Sequence, residues 1–350
     1  MRFELSDDQA LLRSATRDFL ASAFPLEKSR RIMEHEARGY DAGAWKHLAD
    51  MGYLGLLVPP GAGGQGLGAV ELAVVCEEIG RAGVPGPYLD VVLAGALLAA
   101  AGGHERVLAD LANGATLVTI ARDEALFAGA RGEPVRFERG RVRGRKVFVP
   151  FAAQADALVV TTPEEICFVR GPFDVTPLPT LDVAQRFGAV QLDHAATPIG
   201  PLALLDHTDR LAAVGAGAML LGIMTRLLET TLGYLQTRQA FRRPIGAFQA
   251  LQHRAAEMLL RSESTRSAVY RAAWCVATAD VDAPLACATA KAYAGDASRL
   301  VCGEAIQMHG GIGFTWELDV HFFFKRAKTL EQHYGATELQ LERALGAADM

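Results

Sequence analysis

The apolar positions fall first into helical stripes. Residues 6–20 read SDDQALLRSATRDFL, where Ser6 and Gln9 make a capping box and Leu11, Leu12, Ala15, Phe19 and Leu20 share a face. The same spacing returns at residues 41–51 through Trp45, Leu48 and Met51, and at 69–81 through Leu72, Val75 and Ile79. Residues 91–112 read as one further buried helix. Near residue 116 the period changes. The runs TLVTIAR, VRFERGRVRGRKVFV, ADALVVTT, EICFVRG and RFGAVQLDHA are short, rich in Val, Phe and Thr, and bounded by Gly, Pro and charged turns, which is strand chemistry. Helical spacing resumes over 208–238, 248–280 and 284–309, and a last helical stretch, 318–332, precedes a tail. The pattern predicts helices, then a compact β-domain over about 116–200, then a helical bundle.

Composition narrows the class. The chain has 350 residues, half of them hydrophobic and 21% charged, which fits two or three domains and excludes a disordered chain. Lys+Arg is 35 against Asp+Glu 40, a net charge of −5, so no polybasic surface is expected and nucleic acid is excluded as the main partner. The start, MRFELSDDQ, is acidic and has no signal-peptide apolar core. The uncharged apolar runs at 91–101 and 211–224 fall short of the roughly 18–20 residues of a bilayer span. They are read as buried helices of a cytoplasmic protein with no membrane span. Cys76, Cys167, Cys275, Cys287 and Cys302 are scattered without a CxxC, which fits reduced, buried thiols better than disulfides or zinc. The nine histidines contain no HExxH, and no metal site is expected.

Gly61-Ala-Gly63-Gly-Gln-Gly66 matches GxGxxG, but its context is wrong for a dinucleotide turn. That fingerprint needs a strand before it, a helix after it and a βαβ unit around it. Here the run follows a Pro-Pro pair between helical segments, and a plain Gly loop is the reading.

Two segments of the C-terminal half are more specific. One is Arg238-Gln-Ala-Phe241-Arg-Arg-Pro244-Ile245-Gly-Ala-Phe248-Gln249, continuing to Ala256-Glu257-Met258; the other is Gln307-Met-His-Gly310-Gly311-Ile-Gly313-Phe314. A guanidinium at a helix end suits a pyrophosphate, paired glycines let a backbone approach a ligand, and glutamine amides hydrogen-bond adenosine or ribose. These segments resemble the two signatures of the acyl-CoA dehydrogenase family, RxxFGxPIxxFQ and QxxGGxGY. MGYLGLLVPPGAGGQGLGAVELAVVCEEIGRAG is similar to that family's N-terminal helical domain, and RGRKVFVPFAAQADALVV to a strand of its β-domain. The resemblance implies an α+β fold with an N-terminal helical domain over 1–115, a middle β-barrel-like domain over 116–205 and a C-terminal four-helix bundle over 206–350. It implies FAD as cofactor, an acyl-CoA substrate, an electron-transfer flavoprotein as acceptor, and a homo- or hetero-oligomer, at least a dimer. Arg238, Phe241, Gln249, Gln307, Gly310, Gly311 and Thr337 are the implied FAD-binding residues, gripping the ADP half of a flavin held by the neighbouring subunit. Where the family has Gly after Phe241, this chain has Arg242.

The implied reaction is α,β-dehydrogenation of an acyl-CoA thioester, in which a carboxylate removes the α-proton. In many members that base is the Glu of a Tyr-Glu-Gly-Thr run. The matching segment here is Tyr334-Gly335-Ala336-Thr337, so Gly335 occupies the base position. Two alternative family positions fall on Ala212 and Met219, neither acidic. Substitute carboxylates are Asp209, the strongest, Glu331 and Glu338. The flavin-facing run is altered too: Thr119-Ile-Ala-Arg-Asp-Glu124-Ala-Leu-Phe replaces an ALTEPxxGSD-like segment, and Phe148-Val149-Pro150 an aromatic-Ile-Thr/Ser segment, with Pro150 removing a donor. Three readings follow. The chain is a working dehydrogenase with a displaced base, a non-catalytic subunit completing a partner's FAD site, or a flavin-dependent oxygenase that needs no such base. The run Thr315–His321 is similar to the sterol and bile-acid side-chain subset, where heteromers occur.

Overall fold

The computed structural model describes residues 4–124 and 134–348. In chain order its helices and strands are α1 (Asp7–Ala23), α2 (Leu26–His35), α3 (Ala42–Asp50), α4 (Ala69–Ala82), α5 (Tyr88–Ala101), α6 (Glu105–Ala112), β1 (Val118–Ala121), β2 (Arg136–Glu138), β3 (Arg141–Pro150), β4 (Ala157–Thr161), β5 (Glu165–Arg170), β6 (Asp174–Leu178), β7 (Phe187–Pro201), α7 (Leu204–Thr237), β8 (Gln239–Ala240), β9 (Arg243–Pro244), α8 (Gln249–Ala277), α9 (Ala283–His309), α10 (Val320–Gln332) and α11 (Thr337–Ala348). They form two compact units: residues 1–27, 69–84 and 210–350, and residues 28–68 and 85–209.

Local chemistry explains most boundaries. Ser6 Oγ accepts the Gln9 N–H at 3.2 Å while Gln9 Oε1 accepts the Ser6 N–H at 3.0 Å, so the capping box starts α1 as expected. Asp41 caps α3 through the Ala44 N–H at 2.7 Å. The single helix expected over 91–112 is two, α5 and α6, because Gly102 and Gly103 both take φ near +74° and break the ladder. The expected tail after 332 contains α11.

Among its described residues the sheet-bearing unit holds seven strands in the order β1-β4-β5-β7-β3-β2, with β6 also on β7. Among the described residues only β1 and β4 pair in parallel. Among the described residues the ladders follow an open path and do not close a barrel; one antiparallel bridge, Asp123 to Val147, lies between the end of β1 and β3. Val142, Val149, Leu158, Val160, Val169, Val190 and Leu192 fill its core. Lys146 is buried there, where its ammonium donates to Glu124 at 2.6 Å, the Arg122 carbonyl at 2.9 Å and Thr161 at 3.1 Å. Desolvation holds its pKa below the ordinary lysine value, partly offset by Glu124. The GxGxxG run is a loop between α3 and α4, folded back by the Gln65 N–H to the Gly55 carbonyl and the Gly66 N–H to the Val58 carbonyl. Gly64 is there for packing: a Cβ would stand 2.1 Å from the Val58 oxygen.

The other unit is built on α7. Its most apolar window is long enough to cross a bilayer, with mean hydropathy 1.8, but 89% of that window is buried inside the protein, as in a core helix. α4 crosses α7 at backbone contact. A Cβ on Gly222 would stand 1.9 Å from the Glu77 carbonyl oxygen, and one on Gly80 2.1 Å from that of Met219. Beside the crossing, buried Glu77 accepts from Tyr270 at 2.7 Å, from Arg13 at 3.1 Å and from Arg266, and Glu78 takes Arg17 in a two-pronged pair at 2.7 and 2.9 Å. All five cysteines are buried; burial pushes the Cys167 and Cys287 thiols up to about 12.

Candidate functional site

α7 ends where the first signature begins. The Arg238 N–H donates to the Tyr234 carbonyl, and its own carbonyl accepts the Ile245 N–H, both at 2.9 Å. Between these bonds β8 and β9 form a two-residue hairpin, with Ala240 opposite Arg243 and Phe241-Arg242 at the turn. Both turn residues have positive φ, +53° and +64°. This is the primed geometry that matches strand twist and favours Asn or Gly; a residue bearing a Cβ costs about 1–2 kcal/mol in that region. Phe241 is 89% exposed, edge-on to Phe248 at 6.0 Å, and the Arg243 guanidinium lies 4.1 Å over the Phe248 ring. Gln249 opens α8 on the surface. Arg238, Arg242 and Arg243 are exposed, and among the described residues none of them makes an ion pair.

The second signature emerges beside the first. Tyr234 on α7 stacks at 4.5 Å on His309, the last residue of α9, whose Nδ1 lies 2.7 Å from the Ala305 carbonyl. The ends of α7 and α9 are thereby joined, and exposed Gln307 and Arg238 leave the bundle at one edge. Gly310 ends α9 with φ +65°. No atom lies within 4 Å of a Cβ built on Gly310 or Gly311, so neither glycine is demanded by packing inside this chain. Gly313 is: its Cβ would stand 2.5 Å from the Ile306 oxygen. Phe314 and Trp316 are exposed just beyond.

The segment expected to carry the base is a closed turn. Tyr334 and Gly335 have φ +64° and +99°. Lys291, 1% exposed, donates to the carbonyls of Glu331 at 2.9 Å and Gly335 at 3.0 Å. Burial lowers the Lys291 amine to about 8, against the pull of Glu331. The Gln340 amide donates to the Tyr334 carbonyl at 3.1 Å and stands 2.3 Å from where a Cβ on Gly335 would sit. Glu331 is buried, ion-paired with Lys328, and accepts from Thr337 Oγ1 at 3.4 Å. Thr337 is therefore packed behind this turn, against Glu331 and Gly295, and is not gathered with the Arg238 edge. Glu338 is exposed on α11.

Asp209 belongs to the other unit, near the start of α7, where it pairs with Arg122. Of the altered flavin-facing run, Thr119 is buried in β1 and Glu124 is spent on Lys146, while Ala125, Leu126 and Phe127 lie outside the described residues. Phe148 sits at the β3 irregularity with φ +51°, and Pro150 pairs opposite Phe187. Lys291 escaped sequence reasoning. Its only signal was a lone cation in the small-residue run ACATAKAYAGDA.

Helices, then a sheet, then a helical layer bearing a cationic edge define the acyl-CoA dehydrogenase fold. Residues 6–115 match the acyl-CoA dehydrogenase N-terminal domain and residues 210–347 the C-terminal domain; the chain belongs to the acyl-CoA dehydrogenase family of oxidoreductases. Acyl-CoA dehydrogenase IpdE2 of Mycolicibacterium smegmatis is 32% identical over 340 residues, 97% of this chain and 98% of the relative. The ChsE4-ChsE5 complex from Mycobacterium tuberculosis superposes with a TM-score of 0.90 at 27% identity, covering 100% of this chain and 99% of that one. A variant of the steroid ACAD Tcur3481-Tcur3483 gives 0.89 at 25% identity, with 98% of each chain covered.

Proposed function

We propose that the chain serves FAD-dependent α,β-dehydrogenation of an acyl-CoA thioester as one half of a mixed assembly. Arg238, Phe241, Gln249, Gln307, Gly310 and Gly311 complete a flavin site whose base comes from a homologous chain. The observation that carries this reading is Gly335. The expected base position holds a glycine at φ +99°, and of the three acids offered in its place two are engaged, Glu331 with Lys328 and Asp209 with Arg122, while Glu338 is exposed on α11. A homomeric enzyme using Asp209 would first have to break that pair.

The Arg238 edge fits a dinucleotide. From Glu229 to Glu257 there are four arginines and no intervening carboxylate, and the bare backbone of Gly310-Gly311 leaves room for a close approach. FAD, when bound, supplies the hydride acceptor for the reaction. The guanidinium of Arg238 would neutralise the pyrophosphate, and the amides of Gln249 and Gln307 would hydrogen-bond the adenosine half. Thr337, buried behind the turn, is left out of this set. The two chain names carried by each of the ChsE4-ChsE5 and Tcur3481-Tcur3483 structures support a mixed assembly, and the word steroid in the second supports a bulky, sterol-derived acyl group. Electrons leave to an electron-transfer flavoprotein.

The test is flavin per chain, from visible absorbance against total protein. Little flavin is expected in the chain purified alone, rising to about half per total chain after co-expression with a homologous chain. Close to one flavin per chain in the protein alone would overturn the mixed-assembly reading.

A further inference from the structure

We infer that Arg242 is a phosphate-binding residue of the flavin edge, a second guanidinium that acts with Arg238 on the diphosphate bridge of the dinucleotide. The inference rests on the reading above. It starts from the turn. Phe241 and Arg242 hold a primed two-residue hairpin that Asn or Gly would hold with less strain. Little within the chain compensates: Phe241, almost fully exposed, meets only the edge of Phe248, and among the described residues Arg242 has no ion pair. A disfavoured backbone kept without an internal partner points to an external one.

Charge identifies that partner. Arg238, Arg242 and Arg243 fall within six residues, with no carboxylate between Glu229 and Glu257 to oppose them. Arg243 lies flat on Phe248, which fixes one side of the hairpin. Arg238 and Arg242 remain, one at the base of the hairpin and one at its tip, with their guanidinium forks unengaged. A fork matches two phosphate oxygens, and a diphosphate offers two phosphates. Arg242 takes the place of the signature glycine, so the added cation brings the strain with it.

Arg242→Asn tests this, because asparagine tolerates the turn and removes the charge; Arg242→Lys keeps the charge and loses the fork. FAD is titrated by equilibrium dialysis at two salt concentrations into whichever preparation, alone or co-expressed, holds flavin, with inorganic pyrophosphate as competitor. Arg242→Asn is expected to weaken FAD roughly ten- to a hundredfold, to flatten the salt dependence, and to leave the flavin-free melting temperature unchanged or raised by about 2 °C. Arg242→Lys should fall between Arg242→Asn and wild type. Wild-type affinity and salt dependence in Arg242→Asn would overturn the inference alone. Flavin loss accompanied by a lower melting temperature would also overturn it, by making Arg242 a structural turn residue. A wild-type protein binding neither FAD nor pyrophosphate in either preparation would overturn the proposed function itself.

Discussion

Residues 238–249 and 307–313 form an open edge, whereas residues 331–337 form a closed turn, although both belong to the same compact unit. At the edge, the guanidinia of Arg238 and Arg242 and a bare Gly-Gly backbone face outward, while Phe241 and Arg243 touch only the Phe248 ring. At the turn the carbonyls and the carboxylate are answered from within: Lys291 takes two carbonyls, Gln340 a third, and Lys328 and Thr337 take Glu331. The difference teaches how to separate a binding surface from a finished piece of core. Polar groups left open in the free chain are available to an external ligand, while groups that satisfy one another are not.

The largest expected effect is on the closed side. Lys291→Met leaves one buried carbonyl and one half-buried carbonyl without a donor and should lower unfolding stability by about 2–4 kcal/mol in chemical denaturation, with flavin per folded chain unchanged. Its pH dependence has a definite sign. The folded pKa of about 8 lies below the unfolded lysine value, so between them the unfolded state binds more protons and the Lys291 contribution grows as pH rises. Wild-type stability relative to Lys291→Met should therefore increase from pH 8 to pH 10; a constant or shrinking gap would refute the assigned environment.

Next comes the open side. Arg238→Gln should weaken flavin about tenfold or more while moving stability by no more than about 0.5 kcal/mol, since its side chain has no internal partner. A large loss of stability would mean the edge is structural. A smaller effect is expected from restoring the carboxylate. Gly335→Glu places a Cβ at φ +99° against the Gln340 amide and should cost about 1–2 kcal/mol. It should give no turnover in the chain alone; acyl-CoA-dependent flavin bleaching by that variant would show the turn to be one residue from competence. The smallest effect is Asp209→Asn, which should leave turnover of a co-expressed assembly within about twofold, because Asp209 serves Arg122. A large loss there would revive Asp209 as the base.

Much of this contrast was legible in the sequence, and unevenly so. Local rules placed the Ser6 cap and the strand runs, because each depends on neighbours a few residues away. The Arg238 edge was legible for the same reason, being two short segments at helix ends. The break at Gly102-Gly103 was passed over because the apolar spacing continues across it. α2 was missed: its run LEKSRRIMEH is short and highly charged. β6 was missed as well, since Pro177 in DVTPL reads as a turn until β7 pairs with it. Lys291 could not be found, because its acceptors are backbone carbonyls 40 and 44 residues later, and backbone leaves no trace in side-chain pattern.

The backbone contact between α4 and α7, set by Gly80 and Gly222, also orders events during synthesis. The unit containing it is assembled from residues 1–27, 69–84 and 210–350, so its first two pieces leave the ribosome long before the third. By the time residue 209 emerges, the sheet-bearing unit has all its strands, whereas α4, with buried Leu72 and Ile79, still has neither α7 nor α8 to pack against. That face is the surface that nascent-chain chaperones would bind, and a pause in translation before α7 and α8 have emerged would lengthen its exposure, whereas a pause after them would not.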